Sequence, residues 1–224
     1  MMKILGAAFA MGLVALTALP ASATTVTFDW LGNLEGADVS AQINGDEVEP
    51  RGEFEAGSLS FQEVGAPNDF VAWCLEVTQL IASQADYTAG ATLLDPLREG
   101  LISRLFTGYA DAAATAVGAA ALQLAAWEII EEESANVPSG LDVTSGRFTA
   151  ASSTANVAET ANLFLSTLDQ FEANYRINYF QSADSQDIFT VAPIPIPASI
   201  LFLGAGIGAL AVTRRRQQRG GASA

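Results

Sequence analysis

The chain has 224 residues, half of them hydrophobic, with 10 Lys and Arg against 25 Asp and Glu and no histidine. That length allows about one domain of roughly 100–200 residues plus address segments, and without imidazole there is no His-based catalytic relay, His-ligated zinc or histidine pH switch. Every acid lies within residues 24–190 beside only five arginines, a net charge of −20 for that stretch, so a nucleic-acid partner is excluded by repulsion from phosphate backbones.

Residues 1–23 read as a secretory signal peptide: Lys3 is the positive start, Ile4 to Leu19 an apolar run, and Ala21-Ser22-Ala23 a small-residue cleavage site. The run is shorter than the about 20 apolar residues a span needs. Cleavage after Ala23 would expose Thr24, and the lack of a cysteine there excludes a lipoprotein anchor.

Residues 24–190 are expected to form one exported α+β domain, an N-terminal β-sheet or sandwich with a helical insertion. Thr24 to Trp30 alternates Val26, Phe28 and Trp30 on one face, as a half-buried strand does. Asn44-Gly45 marks a turn, Ser58 to Val64 alternates again, and Phe70 to Leu75 reads as a buried strand. After Asp86 the spacing of Leu93, Leu94, Leu97, Leu101, Ile102, Leu105 and Phe106 turns helical, with Pro96 near the helix start. Asp111 to Glu133 predicts a second helix with Leu122, Ala126, Ile129 and Ile130 on its apolar stripe, and Thr154 to Tyr175 a third. Strand character returns over Arg176 to Val191.

Residues 191–224 predict a transmembrane helix with a basic stop. An uncharged run to Thr213 ends in Arg214, Arg215 and Arg216, which the positive-inside rule keeps cytoplasmic while the acidic domain faces outward. A short Pro motif, an apolar helix and a terminal Arg cluster resemble the PEP-CTERM class of sorting signals. The match is closer to its Val-Pro-Leu-Pro-Ala variant, through Ile194-Pro195-Ile196-Pro197-Ala198. The resemblance implies an exosortase-type transpeptidase as partner, acting on Pro195, Pro197 and Ala198. It also implies residence in the inner membrane facing the periplasm, then delivery to the cell surface or extracellular matrix.

The mature segment holds one cysteine, Cys74, in Trp73-Cys74-Leu75. It cannot form an internal disulfide, and an unpaired exported thiol is either a buried small hydrophobe or a reactive group. Gln123 lies on an apolar helical face, where a buried amide needs hydrogen-bond partners. Together, the segments Phe70 to Leu75 and Gln123-Leu124-Ala125-Ala126-Trp127 resemble the thioester domains of bacterial surface adhesins. There a strand cysteine attacks a helix glutamine amide. The resemblance implies a Cys74–Gln123 thioester, which attaches the protein covalently to a partner amine. Trp73 and Trp127, each beside or one helical turn from a reacting residue, are placed to shelter it. The bland reading of Gln123 is a core amide bonded to a neighbouring strand. The only lysine is Lys3, so the mature domain offers no ε-amine to quench such an electrophile. No evident base to activate Cys74 stands in the sequence, and Glu76, two residues on, is only a candidate.

Asp46, Glu47 and Glu49 in a Gly-rich turn, and Glu131-Glu132-Glu133 at a helix end, read as solvated acidic surface. Neither has the spacing of an EF-hand loop. With 25 acids a close carboxylate pair is certain somewhere, so a hydrolase reading has no specific support. The expected protein is therefore not an enzyme and carries no cofactor or metal. It is a surface or matrix protein whose partner is a surface protein or glycan, held through the thioester or, alternatively, non-covalently around an inert cysteine.

Overall fold

The computed structural model describes residues 24–48, 52–90 and 92–195. The signal peptide, Pro197, Ala198 and Arg214 to Arg216 fall outside the described residues. Pro195 is exposed just beyond the last strand, and among the described residues no helix is long and apolar enough to cross a membrane.

Six antiparallel strands close into a ring. They are β1 (Thr24–Ile43), β3 (Phe54–Glu63), β4 (Asp69–Cys74), β5 (Gln84–Ala89), β7 (Tyr175–Gln181) and β8 (Ile188–Pro193), in the order β1-β3-β4-β8-β7-β5 and back to β1. Closure depends on the length of β1. Its first half pairs with β5 from Thr24 to Asp29, and its second half leaves the ring to pair with β2 (Asp46–Glu47) and β6 (Phe148–Ser152). The strand bends where register shifts between Trp30 and Gly32 and between Asn33 and Glu35, as bulges bend a strand. At the bend Gly36 pairs with Gly57 of β3. A Cβ on Gly57 would sit 2.0 Å from the Glu35 carbonyl oxygen, so only glycine lets the backbones meet there. The predicted strand at Thr24 to Trp30 is thus the first third of a 20-residue strand whose glycines are bulge and crossing positions, not loop punctuation. The Asn44-Gly45 turn forms with positive φ at both residues, 55° and 84°, the signature of a tight hairpin turn.

Five strands fill the ring with aromatic side chains. Phe28 touches Phe70, Tyr87 and Phe180 at centroid distances of 4.9, 5.2 and 5.2 Å, with Phe61 beside them at 6.4 Å. Tyr87 keeps its hydroxyl satisfied through Ser185 Oγ at 2.9 Å.

The helices cover one side. The first, α1 (Pro96–Tyr109), starts where Asp95 caps the Leu97 and Arg98 amides with Pro96 at the first helical position. It begins three residues later than the leucine spacing suggested. The second, α2 (Ala116–Glu131), is capped by Thr115 after a 3-10 turn at Ala110–Ala114. Every residue from Gly118 to Ile129 is buried, so the expected stripe is replaced by burial all round. The helix is sandwiched between β1 and β3 on one side and α1 and α3 on the other, and its alanines permit that close approach. The third, α3 (Val157–Leu165), is shorter than predicted and gives way to a 3-10 turn at Leu168–Gln170.

The expected acidic surface at Glu131-Glu132-Glu133 needs correction. Glu132 ends α2 in extended backbone and is buried, because its carboxylate accepts hydrogen bonds from the Arg147 amide at 2.8 Å, Asn136 Nδ2 at 2.8 Å and the Glu133 amide at 2.9 Å. Burial opposes its charge, yet these donors hold the carboxyl below the usual range. Two arginines neutralise the negative end of the helix: Arg98 donates to the carbonyls of Ile129 at 2.9 Å and Glu132 at 2.6 Å, and Arg147 to that of Glu131.

Candidate functional site

The strand β4 and the helix α2 bring Cys74 and Gln123 together. Cys74 pairs with Ile188 of β8 while the Leu75 amide donates to the Asp187 carbonyl at 2.9 Å. In an antiparallel ladder that pattern turns the Cys74 N–H and C=O away from β8. On the opposite side β3 last pairs with β4 at Leu59 and Ala72, then follows β1 around the bend. Gln123 fills the place the strand vacates. Its Oε1 accepts the Cys74 amide proton at 3.0 Å and its Nε2 donates to the Cys74 carbonyl at 2.9 Å. The side-chain amide acts as one residue of a missing strand, which accounts for a wholly buried glutamine. Its carbonyl carbon is thereby docked on the backbone of the residue that bears the thiol.

Neighbouring residues of a strand face opposite ways, and this separates the two tryptophans expected as shelter. Trp73 faces α1, its ring 5.2 Å from that of Phe106. Cys74 faces inward onto a cleft of about 180 Å³ that Trp127 also lines, with Trp30, Phe54, Glu55 and Leu80. Trp127 packs edge-on to Phe54 at 6.0 Å. The indole nitrogens of Trp30 and Trp127 are both buried and have no hydrogen-bond partner. Glu55 accepts from Asn33 Nδ2. The outer wall, residues 75–83, is pinned by the 182–187 loop: Ser185 Oγ accepts from the Ala82 amide at 3.0 Å, and Gln186 Nε2 donates to the Glu76 carbonyl.

Burial pushes the Cys74 thiol up to about 12, so at neutral pH it is a neutral S–H. Burial also raises the Glu76 carboxyl, and Glu76 Oε1 is engaged by the Asp187 amide at 3.2 Å. The acid expected as a base therefore serves as a loop anchor. Among the described residues no group of three or more Cys, Asp or Glu side chains is arranged to hold a metal ion.

Below the cleft, α2 carries a second titratable group that the sequence reading passed over. Glu128 is wholly buried and accepts the Asp142 amide at 2.8 Å through Oε1, while Oε2 has no partner. Burial lifts its carboxyl to about 7, helped by the charges of Glu132 and Asp142. A glutamate one residue past Trp127 in an otherwise apolar helix was the available signal.

No family model matches this chain, and no curated protein or solved structure is similar to it.

Proposed function

We propose that the chain is an exported, non-enzymatic attachment protein of the cell surface or extracellular matrix. Its C-terminal segment is the sorting address for an exosortase-type transpeptidase, and Cys74 and Gln123 form an internal thioester that is consumed once, by an amine on a partner. The observation that carries the reading is the pair of hydrogen bonds docking the Gln123 amide on Cys74. The Cys74 sulfur attacks Gln123 Cδ, the thiol proton goes to Nε2, and ammonia leaves. The Cys74 N–H, 3.0 Å from Oε1, stands where an oxyanion donor is needed. A neutral thiol suits this balance, because the departing nitrogen needs the proton that the sulfur carries. Gln123 is wholly buried, which limits water at the acyl carbon.

A second reading has its own support. Both polar atoms of the Gln123 amide are already satisfied, and a protonated thiol is inert, so the pair also makes sense as a purely structural clasp in a non-covalent matrix protein. Intact mass separates the two. Thioester formation lowers the mass by the about 17 Da of ammonia relative to the sequence, and Cys74→Ala abolishes the loss. An unshifted mass with a thiol that alkylates on unfolding refutes the first reading and leaves the second.

A further inference from the structure

We infer that the groove between α1 and the end of α3 binds a medium-chain fatty acid, with its carboxylate on Arg104 and its alkyl chain among leucines. The groove shares no lining residue with the cleft beside Cys74, so the inference does not depend on a thioester. Two features select the ligand.

The first is an arginine without a partner. Arg104 stands three residues after Leu101 in α1, and the two share one face of the helix. Both line a groove of about 490 Å³, within the range of small-molecule sites. Arg98 is bonded to Asp95 and to the carbonyls that end α2, Arg147 is bonded to Glu131, and Arg176 is exposed. Arg104 is half-buried and makes no hydrogen bond or ion pair with any described residue, yet none of its nitrogens is sealed from solvent. Asp169 lines the same groove and still lies beyond ion-pair distance of it. A chain with 25 acids thus leaves one guanidinium in an apolar groove with its donors free. A guanidinium is always charged, and its planar fork of N–H groups matches the two oxygens of a carboxylate.

The second is what surrounds that fork. Leu101, Leu141, Leu165 and Leu168 supply the apolar lining, where an alkyl chain gains about fourfold in affinity for each methylene it removes from water. The groove of about 490 Å³ equals about 16 water-sized volumes, enough for a carboxylate on a chain of about eight to ten carbons. Charge decides the head group. Asp169 at the groove and the acidity of the whole domain oppose a doubly charged phosphate, and a carboxylate brings the smallest charge that fits the fork.

Isothermal titration calorimetry of the purified full chain tests the site with octanoate, hexanoate, 1-octanol and octyl phosphate. Octanoate should saturate at one per chain. Hexanoate, two methylenes shorter, should bind about tenfold more weakly, and octanol, which has no charge, about tenfold more weakly as well. Arg104→Met keeps an apolar stem and removes the fork, so it should reduce octanoate to the level of octanol and leave octanol unchanged. Asp169→Asn, at an exposed position, should tighten octanoate about twofold and leave octanol unchanged. No saturable octanoate binding by the native chain, or an Arg104→Met protein that binds octanoate as tightly as the native one, overturns the inference. Octyl phosphate binding more tightly than octanoate overturns it too. If circular dichroism shows that Arg104→Met does not fold, Asp169→Asn decides, and an octanoate affinity that fails to rise refutes the site.

Discussion

Replacing Cys74 by alanine tests the covalent bond through stability alone. The two hydrogen bonds from Gln123 go to the Cys74 backbone, so they survive the substitution, and without a thioester the protein loses only a small buried side chain, about 1 kcal/mol. With a thioester it also loses a cross-link between positions 49 residues apart. Treated like a disulfide, closing a loop of that length removes about 4 kcal/mol of unfolded-state entropy. The variant keeps the Gln123 Nε2 hydrogen bond to the Cys74 carbonyl that thioester formation gives up, worth about 1 kcal/mol, so the total for Cys74→Ala is about 4 kcal/mol. For a domain of this size, the cross-link's share is about 8–16 °C of melting temperature. Gln123→Leu is the companion variant. Where Gln123 keeps its amide, this leaves the Cys74 N–H and C=O unpaired, costing about 2–6 kcal/mol; where Nε2 has left as ammonia, it removes the N–H partner and the cross-link together. Thermal melts followed by circular dichroism of native, Cys74→Ala and Gln123→Leu proteins give the comparison. If Cys74→Ala melts within about 3 °C of the native chain while Gln123→Leu is strongly destabilised, the pair is a clasp and the cross-link argument is wrong.

Two further outcomes follow from geometry outside the cleft. The Glu128 carboxyl ionises near 7 in the folded protein against 4.5 for the free group. Its contribution is therefore fully present below about pH 4.5 and is lost as pH rises to about 7, a change of at most about 3 kcal/mol. Glu128→Gln cannot ionise, so its stability relative to the native protein should improve by up to that amount between pH 5 and pH 8 in urea titrations; parallel pH profiles would show that Glu128 is not buried as described. Gly57→Val places a Cβ 2.0 Å from the Glu35 carbonyl oxygen and should cost more than about 3 kcal/mol, read by urea denaturation. An unaffected midpoint would mean that β1 and β3 do not cross there.

The strands with clear alternation were legible from the residues alone. Phe28, Phe61 and Phe70 stand in predicted strands and meet inside the ring. The short strands were not. In β5 only Ala85 and Tyr87 mark the inner face, and β6 is five residues made mostly of alanine and small polar side chains, so neither rises above its surroundings. Ring closure was invisible because it depends on β1 serving different partners along its length, which no local pattern encodes. The meeting of Cys74 and Gln123 was suggested by motif likeness, but its cause was not readable. It lies in β3 turning away from β4 after Leu59, a tertiary event. The unpaired indoles escaped notice for the same reason, since Trp30 looked like one more hydrophobic strand residue.

The position of β8 has a mechanical consequence. It is the last described strand, and the polypeptide leaves it at Ile194. Tension applied at that exit would peel β8 from β7 pair by pair, beginning at Pro193 and Tyr175. The last pairs to yield would be those of Phe189 and Ile188, which are also gripped on the other side by Trp73 and Cys74. If the chain is the attachment protein proposed above, held by its C-terminus and pulled by its ligand, the holdfast against force and the chemistry of attachment would occupy the same two rungs of the barrel.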